Sequence, residues 1–235
     1  MSDKHLSTQF DAELAGVSAR VLEMGGLVEA QVAQAVAALT GLDAAAAEGV
    51  LREEDRVNRM DVEIDHDLCG IIARRQPTAR DLRLLIAVSK TIANLERVGD
   101  EAARIARTVQ RLLAGEAAQR LRLPLSDLGF EARLATAQLR KALDAFARLD
   151  TERALEVLRQ DDQIDREFEG LLRKLVTYMM EDPRTISAAI DLVFVAKAIE
   201  RVGDHAKNLA EAIIYVVKGT DVRHRSMDAV QRAVE

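Results

Sequence analysis

The chain contains no tryptophan, three prolines, a single cysteine and only 3% aromatic residues in 235 positions. The scarcity of aromatics and the abundance of Ala, Leu, Arg and Glu disfavour strands and favour helices. With one cysteine, Cys69, neither an internal disulfide nor a thiolate metal cluster can form, which fits a reducing, cytoplasmic compartment. No apolar run approaches the roughly 18 residues that a membrane span needs. The opening, Met1 to Phe10, lacks the positive-then-apolar order of a signal peptide. Lysine and arginine are interspersed with Asp and Glu at a net charge of -6, so the basic patch expected of a nucleic-acid binder is missing. What is present is 49% hydrophobic and 31% charged residues, a soluble globular balance.

Apolar residues recur at helical spacing along nearly the whole chain. The first helix is expected from about Ser7 to Leu39, with Val17, Val21, Met24, Val28, Val32 and Val36 on one side and Gly41 ending it. A second runs from about Ala44 to Arg75, with Val57, Ile64, Leu68 and Ile71 inward. Cys69 adjoins that face and reads as a buried structural thiol, whereas His66 points away from it. Beyond Pro77, Thr78 can cap a third helix with Asp81 three residues on; Val88, Ile92, Leu95, Ala102, Ala106 and Val109 form its stripe, and Gly115 stops it. The second half follows the same plan. Helix four covers about Glu131 to Leu149, starting as early as Ser126, and helix five covers Thr151 to Met180. Asp182-Pro183 offers a cap followed by proline at the first helical position, and helix six reaches Lys218 with Gly219 beyond.

The halves share more than a plan. Glu96-Arg97-Val98-Gly99-Asp100 recurs as Glu200-Arg201-Val202-Gly203-Asp204, and Glu54-Asp55 with Asn58 has its counterpart in Asp161-Asp162 with Asp165. These matches keep their order, so the chain reads as an internal duplication. The expected fold is all-α: two tandem three-helix up-down-up bundles, over residues 1–115 and 116–235.

Glu96 and Asp100 stand four apart, and so do Glu200 and Asp204, Asp161 and Asp165, and Glu54 and Asn58. On a helix such pairs stack on one face at roughly 5–6 Å, and like charges there repel by a few tenths of a kcal/mol. Presented from two adjacent helices, they make an oxygen-rich groove that suits hard divalent cations or carboxylate-bridged iron or manganese. A glycine inside a helix costs about 1 kcal/mol relative to alanine. Gly99 and Gly203 between the carboxylates therefore suggest a close approach there. The competing reading is a solvated face with local pairs such as Arg97–Glu101 and Asp100–Arg104. A ferritin-like di-iron enzyme would need two Glu-x-x-His motifs, and only Glu63-His66 has that spacing.

The stretch from Ile71 to Arg83, both Glu-Arg-Val-Gly-Asp segments, Thr177 to Asp182 and Tyr215 to Gly219 resemble the PhoU family of phosphate-uptake regulators, over about residues 5 to 225. The resemblance implies two three-helix domains and metal-binding motifs of the form Glu/Asp-x-x-x-Asp. Glu96/Asp100, Glu200/Asp204 and Asp161/Asp165 match that form, while Glu54/Asn58 departs from it; Asp55, Asp61 or Asp65 could substitute in the first half. The metal, whether Fe, Mn, Mg or Zn, is left open. The resemblance further implies a non-catalytic, cytoplasmic adaptor and homodimer. Its partners would be the ATPase subunit of a phosphate ABC transporter and a sensor histidine kinase with its response regulator, and it would restrain uptake and the phosphate-starvation response. The alternative is a metal-dependent carboxylate-bridged enzyme or a metal-storage bundle.

Overall fold

A computed structural model describes residues 8–114 and 124–235. The opening residues and Gly115, both read above, lie outside them. The elements are α1 (Thr8–Gly41), α2 (Ala44–Arg75), α3 (Ala79–Ala114), α4 (Leu125–Arg148), α5 (Thr151–Glu181), a 3₁₀ turn (Pro183–Thr185), α6 (Ile186–Lys218) and α7 (Met227–Val234). The six expected helices are all present, and no strand occurs among the described residues. None of the described helices is long and apolar enough to cross a membrane.

The duplication is visible in backbone detail. At the α1–α2 turn Leu42 adopts a left-handed conformation and Asp43 N–H donates to the Ala38 carbonyl at 2.9 Å. Asp43 Oδ1 then accepts from the Ala45 and Ala46 N–H groups. At the α4–α5 turn Leu149, Asp150, Ala145, Glu152 and Arg153 repeat every one of these interactions. Each aspartate thereby satisfies backbone donors that a helix start leaves open. The left-handed residue is Leu42, not Gly41, which remains helical; the aspartate cap and the backbone bond across the turn impose that conformation on a residue that does not favour it. Asp182 caps the later turn as expected, accepting from Arg184 N–H at 3.1 Å, although the chain makes one 3₁₀ turn through Pro183 before α6 begins.

The apolar stripes read from the sequence are buried, with Val36 partly so. They belong to one continuous core rather than two. α3 of the first half lies antiparallel against α6 of the second: Arg83 approaches Val216, Asn94 meets His205 and Asn208, Glu101 meets Arg201, and Arg111 meets Asp191. α1 also packs on α4, where Arg140 pairs with Glu29. Cys69 corrects an expectation. It is exposed, because one step of helical rotation past buried Leu68 carries it off the inward face. The short α7 was not foreseen. It tucks Val230 and Val234 against α5.

Candidate metal grooves and the interface between the halves

In the first half α2 and α3 bring Glu54, Asp61, Glu96 and Asp100 to one groove. Burial, then the charges of Asp100, Asp61 and Glu54, push the Glu96 carboxyl above its ordinary pKa. Burial and Asp65 do the same to Asp61. Asn58, the departure from the motif, is exposed. In the second half α5 and α6 bring together Asp161, Asp165, Glu200 and Asp204. Asp204 is pushed up to about 6 by burial, then by Glu200 and Asp161, against the pull of Lys197, with Asp165 adding to the rise. Asp165 is raised by burial, Asp161 and Glu200. All four second-half residues share one neighbourhood.

Cations already attend these grooves. Arg107 Nη2 donates to both oxygens of Glu54 at 2.6 and 2.7 Å, Lys197 Nζ donates to Glu200 at 2.6 Å, and Lys207 donates to buried Asp161. As placed, no three Asp, Glu, His or Cys side chains among the described residues are arranged to hold a metal ion. The donor chemistry of the second groove nevertheless fits a hard cation: it offers oxygen ligands only, and carboxylates that hold one another's pKa up are relieved by a positive charge. The first groove departs from the motif at Asn58, which contributes no charge.

Both mid-helix glycines have a visible reason. A Cβ on Gly99 would lie 3.2 Å from Gln31 Oε1 and 3.3 Å from Val57 Cγ1. On Gly203 it would lie 2.9 Å from Ile164 Cδ1 and 3.0 Å from Gln138 Oε1. Gln31 and Gln138 are both buried, and each donates Nε2–H to a backbone carbonyl 19 residues on, Val50 at 3.2 Å and Val157 at 3.1 Å. One glutamine per half thus ties the first helix to the second against the glycine of the third. The sequence reading missed these glutamines; a polar residue at equivalent inward positions of both halves was the signal.

Between α3 and α6 the two pentapeptides face each other. Buried Glu101 pairs with Arg201 of the other half at 2.8 Å and with Arg104 at 3.4 Å, rather than through the local Arg97 pair that helical spacing suggests. Its symmetry counterpart is His205, also buried, whose Nδ1 stands 2.9 Å from Asn94 Oδ1. An amide oxygen only accepts, so Nδ1 carries the proton. Burial, then Arg201 and Arg97, push the imidazole down to about 4. The unfolded chain therefore takes up this proton first as pH falls below about 6.5. His205 accordingly contributes a loss of stability on acidification, about 1.4 kcal/mol per pH unit, that is complete by pH 4. In urea titrations, the stability of the wild-type chain should fall relative to His205→Gln from pH 6.5 to 4. Parallel pH profiles for the two proteins would refute this.

Comparison with known proteins places the whole chain. The PhoU domain model matches twice, at residues 21–109 and 131–213. A Burkholderia protein described as a phosphate-specific transport system accessory protein PhoU homolog is 52% identical over 226 residues, covering 96% of each chain. The Escherichia coli K12 protein of that description, named PhoU, is 44% identical over 230 residues, covering 98% of this chain and 94% of its own. The crystal structure of PhoU from Pseudomonas aeruginosa superposes with a TM-score of 0.84 at 45% identity, covering 90% of this chain and 100% of that one. The phosphate transport system regulatory protein PhoU from Streptococcus pneumoniae gives 0.83 at 26% identity, over 91% of this chain and 99% of its own. These relatives are named as accessory and regulatory proteins. This chain, with its duplicated three-helix halves, belongs to the PhoU family and is a non-catalytic accessory protein of phosphate transport.

Proposed function

We propose that this protein restrains phosphate uptake and represses the phosphate-starvation (Pho) response, as a cytoplasmic homodimeric adaptor. In this reading it joins the ATPase subunit of the phosphate ABC transporter to the sensor histidine kinase and its response regulator. The observation that carries the reading is similarity over nearly the full length to proteins named as accessory components of phosphate-specific transport. An adaptor shifts its partners only by binding one of their states better than another, and long helix faces supply the area. Metal ions, Fe, Mn, Mg or Zn, would sit in the grooves, held by Asp161, Asp165, Glu200 and Asp204 in the second half. Glu96, Asp100, Glu54 and Asn58 would hold them more weakly in the first. A bound cation supplies charge neutralisation between adjacent helices and no reaction chemistry. The enzyme and storage alternatives find no support in the names of the relatives.

Deleting the gene tests the reading directly. A starvation-promoter reporter should become constitutive in phosphate-rich medium, and the wild-type chain should restore repression and co-purify with the ATPase subunit and the kinase. A silent reporter in the deletion strain would end the proposal. The Glu200→Ala/Asp204→Ala protein should purify with less metal and unchanged helical content; equal metal content would remove the groove assignment and leave the adaptor reading standing.

A further inference from the structure

The joint between the halves is hollow at one end. A cavity of about 300 Å³ opens there between α3 and α6, at the lower bound of the roughly 300–1,000 Å³ usual for small-molecule sites. Ala87, Ala93 and Ala212 line it with the Tyr215 ring, and Lys90, Arg97, Asn208 and Glu211 supply its polar groups. Lys90 Nζ stands 5.8 Å from the centre of the Tyr215 ring. Asn208 donates to Asn94 Oδ1 at 3.0 Å, and Asn94 is itself tied to His205 Nδ1 and to the Lys90 carbonyl, so the amide is held in place. The second N–H and the oxygen of Asn208 make no hydrogen bond among the described residues.

Internal symmetry shows why the hollow exists. In the register that aligns Glu96 with Glu200, Ala87 corresponds to Asp191, Ala212 to Thr108 and Tyr215 to Arg111. At the mirrored end of the joint Arg111 donates to Asp191 at 3.1 Å and to Thr108 Oγ1 at 2.8 Å, so that end is bridged from within the chain. Here alanines replace the aspartate and the threonine, and no such bridge can form. Lys90 and Arg97, both exposed, make no ion pair among the described residues. The two carboxylates of the cleft do not neutralise them. Arg223 Nε donates to both Asp221 oxygens at 3.0 and 3.1 Å, and that pairing pulls the Asp221 carboxyl down to about 2. Glu211 is raised by burial against the pull of Lys207, His224 and Arg223, and in its protonated form it donates a hydrogen bond.

We propose that this cleft binds the dianionic phosphate group of a small phosphorylated molecule, with Lys90 and Arg97 as its cations. A phosphate monoester carries about -1.5 to -2 charges at pH 7, which two cations match, and the guanidinium fork suits its oxygens. The hollow extends beyond the cations. Tyr215 and the alanines offer a floor to a carbon skeleton, and Asn208 and Glu211 offer partners to its hydroxyl groups. Free phosphate shares the charged part of this chemistry and lacks the rest. Lys90 and Arg97 come from the first half and Asn208, Glu211 and Tyr215 from the second, so an occupant clamps the joint. Use of the site as a signal of phosphate supply rests on the adaptor reading; the binding itself does not.

The test uses the full chain carrying Tyr178→Phe, which leaves Tyr215 as the one tyrosine in a protein without tryptophan. Ribose 5-phosphate and inorganic phosphate are titrated at constant ionic strength and followed by calorimetry, Tyr215 fluorescence and melting temperature. Ribose 5-phosphate should bind saturably, once per chain, change the fluorescence and raise the melting temperature. Tighter binding of inorganic phosphate would keep the cleft and assign it to the free ion. Lys90→Gln/Arg97→Gln should weaken binding at least tenfold. Arg59→Gln/Arg74→Gln, which removes the same charge from exposed positions of α2, should leave it unchanged. Equal affinity with and without the cleft cations, or equal loss in both variants, would overturn the proposal. So would succinate binding as tightly as the phosphates, or no saturable binding of either phosphate. Should the double cleft variant fail to fold, Lys90→Gln alone is held to the same criteria. Absence of binding leaves the reporter result of the deletion strain standing, and a silent reporter leaves the binding standing.

Discussion

Arg201→Ala is expected to destabilise the chain by about 3 kcal/mol, the low end of the roughly 3–5 kcal/mol for breaking one partner out of a buried ion pair, because the Arg201 side chain is itself 38% exposed. Glu101 is almost fully enclosed at the joint between the halves, and burial already raises its pKa with both arginines in place. Without Arg201 at 2.8 Å, only Arg104 at 3.4 Å remains, and its side chain is 46% exposed. Removing the charge along with the partner should repair most of the damage, so Arg201→Ala/Glu101→Gln should be more stable than Arg201→Ala alone. In Arg201→Ala the folded state holds a proton on Glu101 more tightly than the unfolded state does. The variant's deficit should therefore shrink as pH is lowered from 7 to 5. Urea unfolding at the two pH values measures both effects; a deficit below 1 kcal/mol at pH 7 would show that the pair does not hold the halves together.

Gly203→Val is the second large effect, expected at about 3 kcal/mol. Even a Cβ meets Ile164 Cδ1 at 2.9 Å and Gln138 Oε1 at 3.0 Å, and valine adds two methyl groups to a filled space, which in packed cores costs about 1–3 kcal/mol or more. The gain in helix propensity, a few tenths of a kcal/mol, does not offset this. Gly99→Val should cost less, since the corresponding distances are 3.2 and 3.3 Å. Shortening the neighbour should rescue the fold: Ile164→Ala costs stability alone yet should make Gly203→Val less harmful, a coupling that a double-mutant cycle isolates. If Ile164→Ala and Gly203→Val simply add, the close approach is not what demands the glycine.

The helices were legible because their apolar spacing is long, uninterrupted and punctuated by proline, aspartate and glycine at the joints. The duplication was legible from one pentapeptide and one acidic step. The groove residues could be grouped from spacing alone, since residues four apart on a helix must share a face. What spacing cannot supply is the identity of the residue opposite. Glu101 was assigned a local arginine, whereas its closest partner is Arg201, a hundred residues away in sequence. The lysines on Asp161 and Glu200 come from α6 and alter the grooves from bare carboxylate clusters to compensated ones. Cys69 was misplaced because a residue beside an apolar stripe is one rotation from either side of the boundary. Glu131 was read only as a helix start. Its burial becomes visible when the halves are aligned through Gln31 and Gln138, which places a glutamate where methionine fills the other core.

The antiparallel seating of α3 on α6 has a consequence for symmetry. When Glu101 meets Arg201, the mirrored pair is Arg97 with His205, and the Arg97 charge does act on that imidazole. That is the pattern of an isologous interface, the kind two identical subunits form about a two-fold axis. Because the two halves are one polypeptide, the two equivalent positions need not match: Glu101 bridges to Arg201 at one of them, and a histidine, His205, stands at the other.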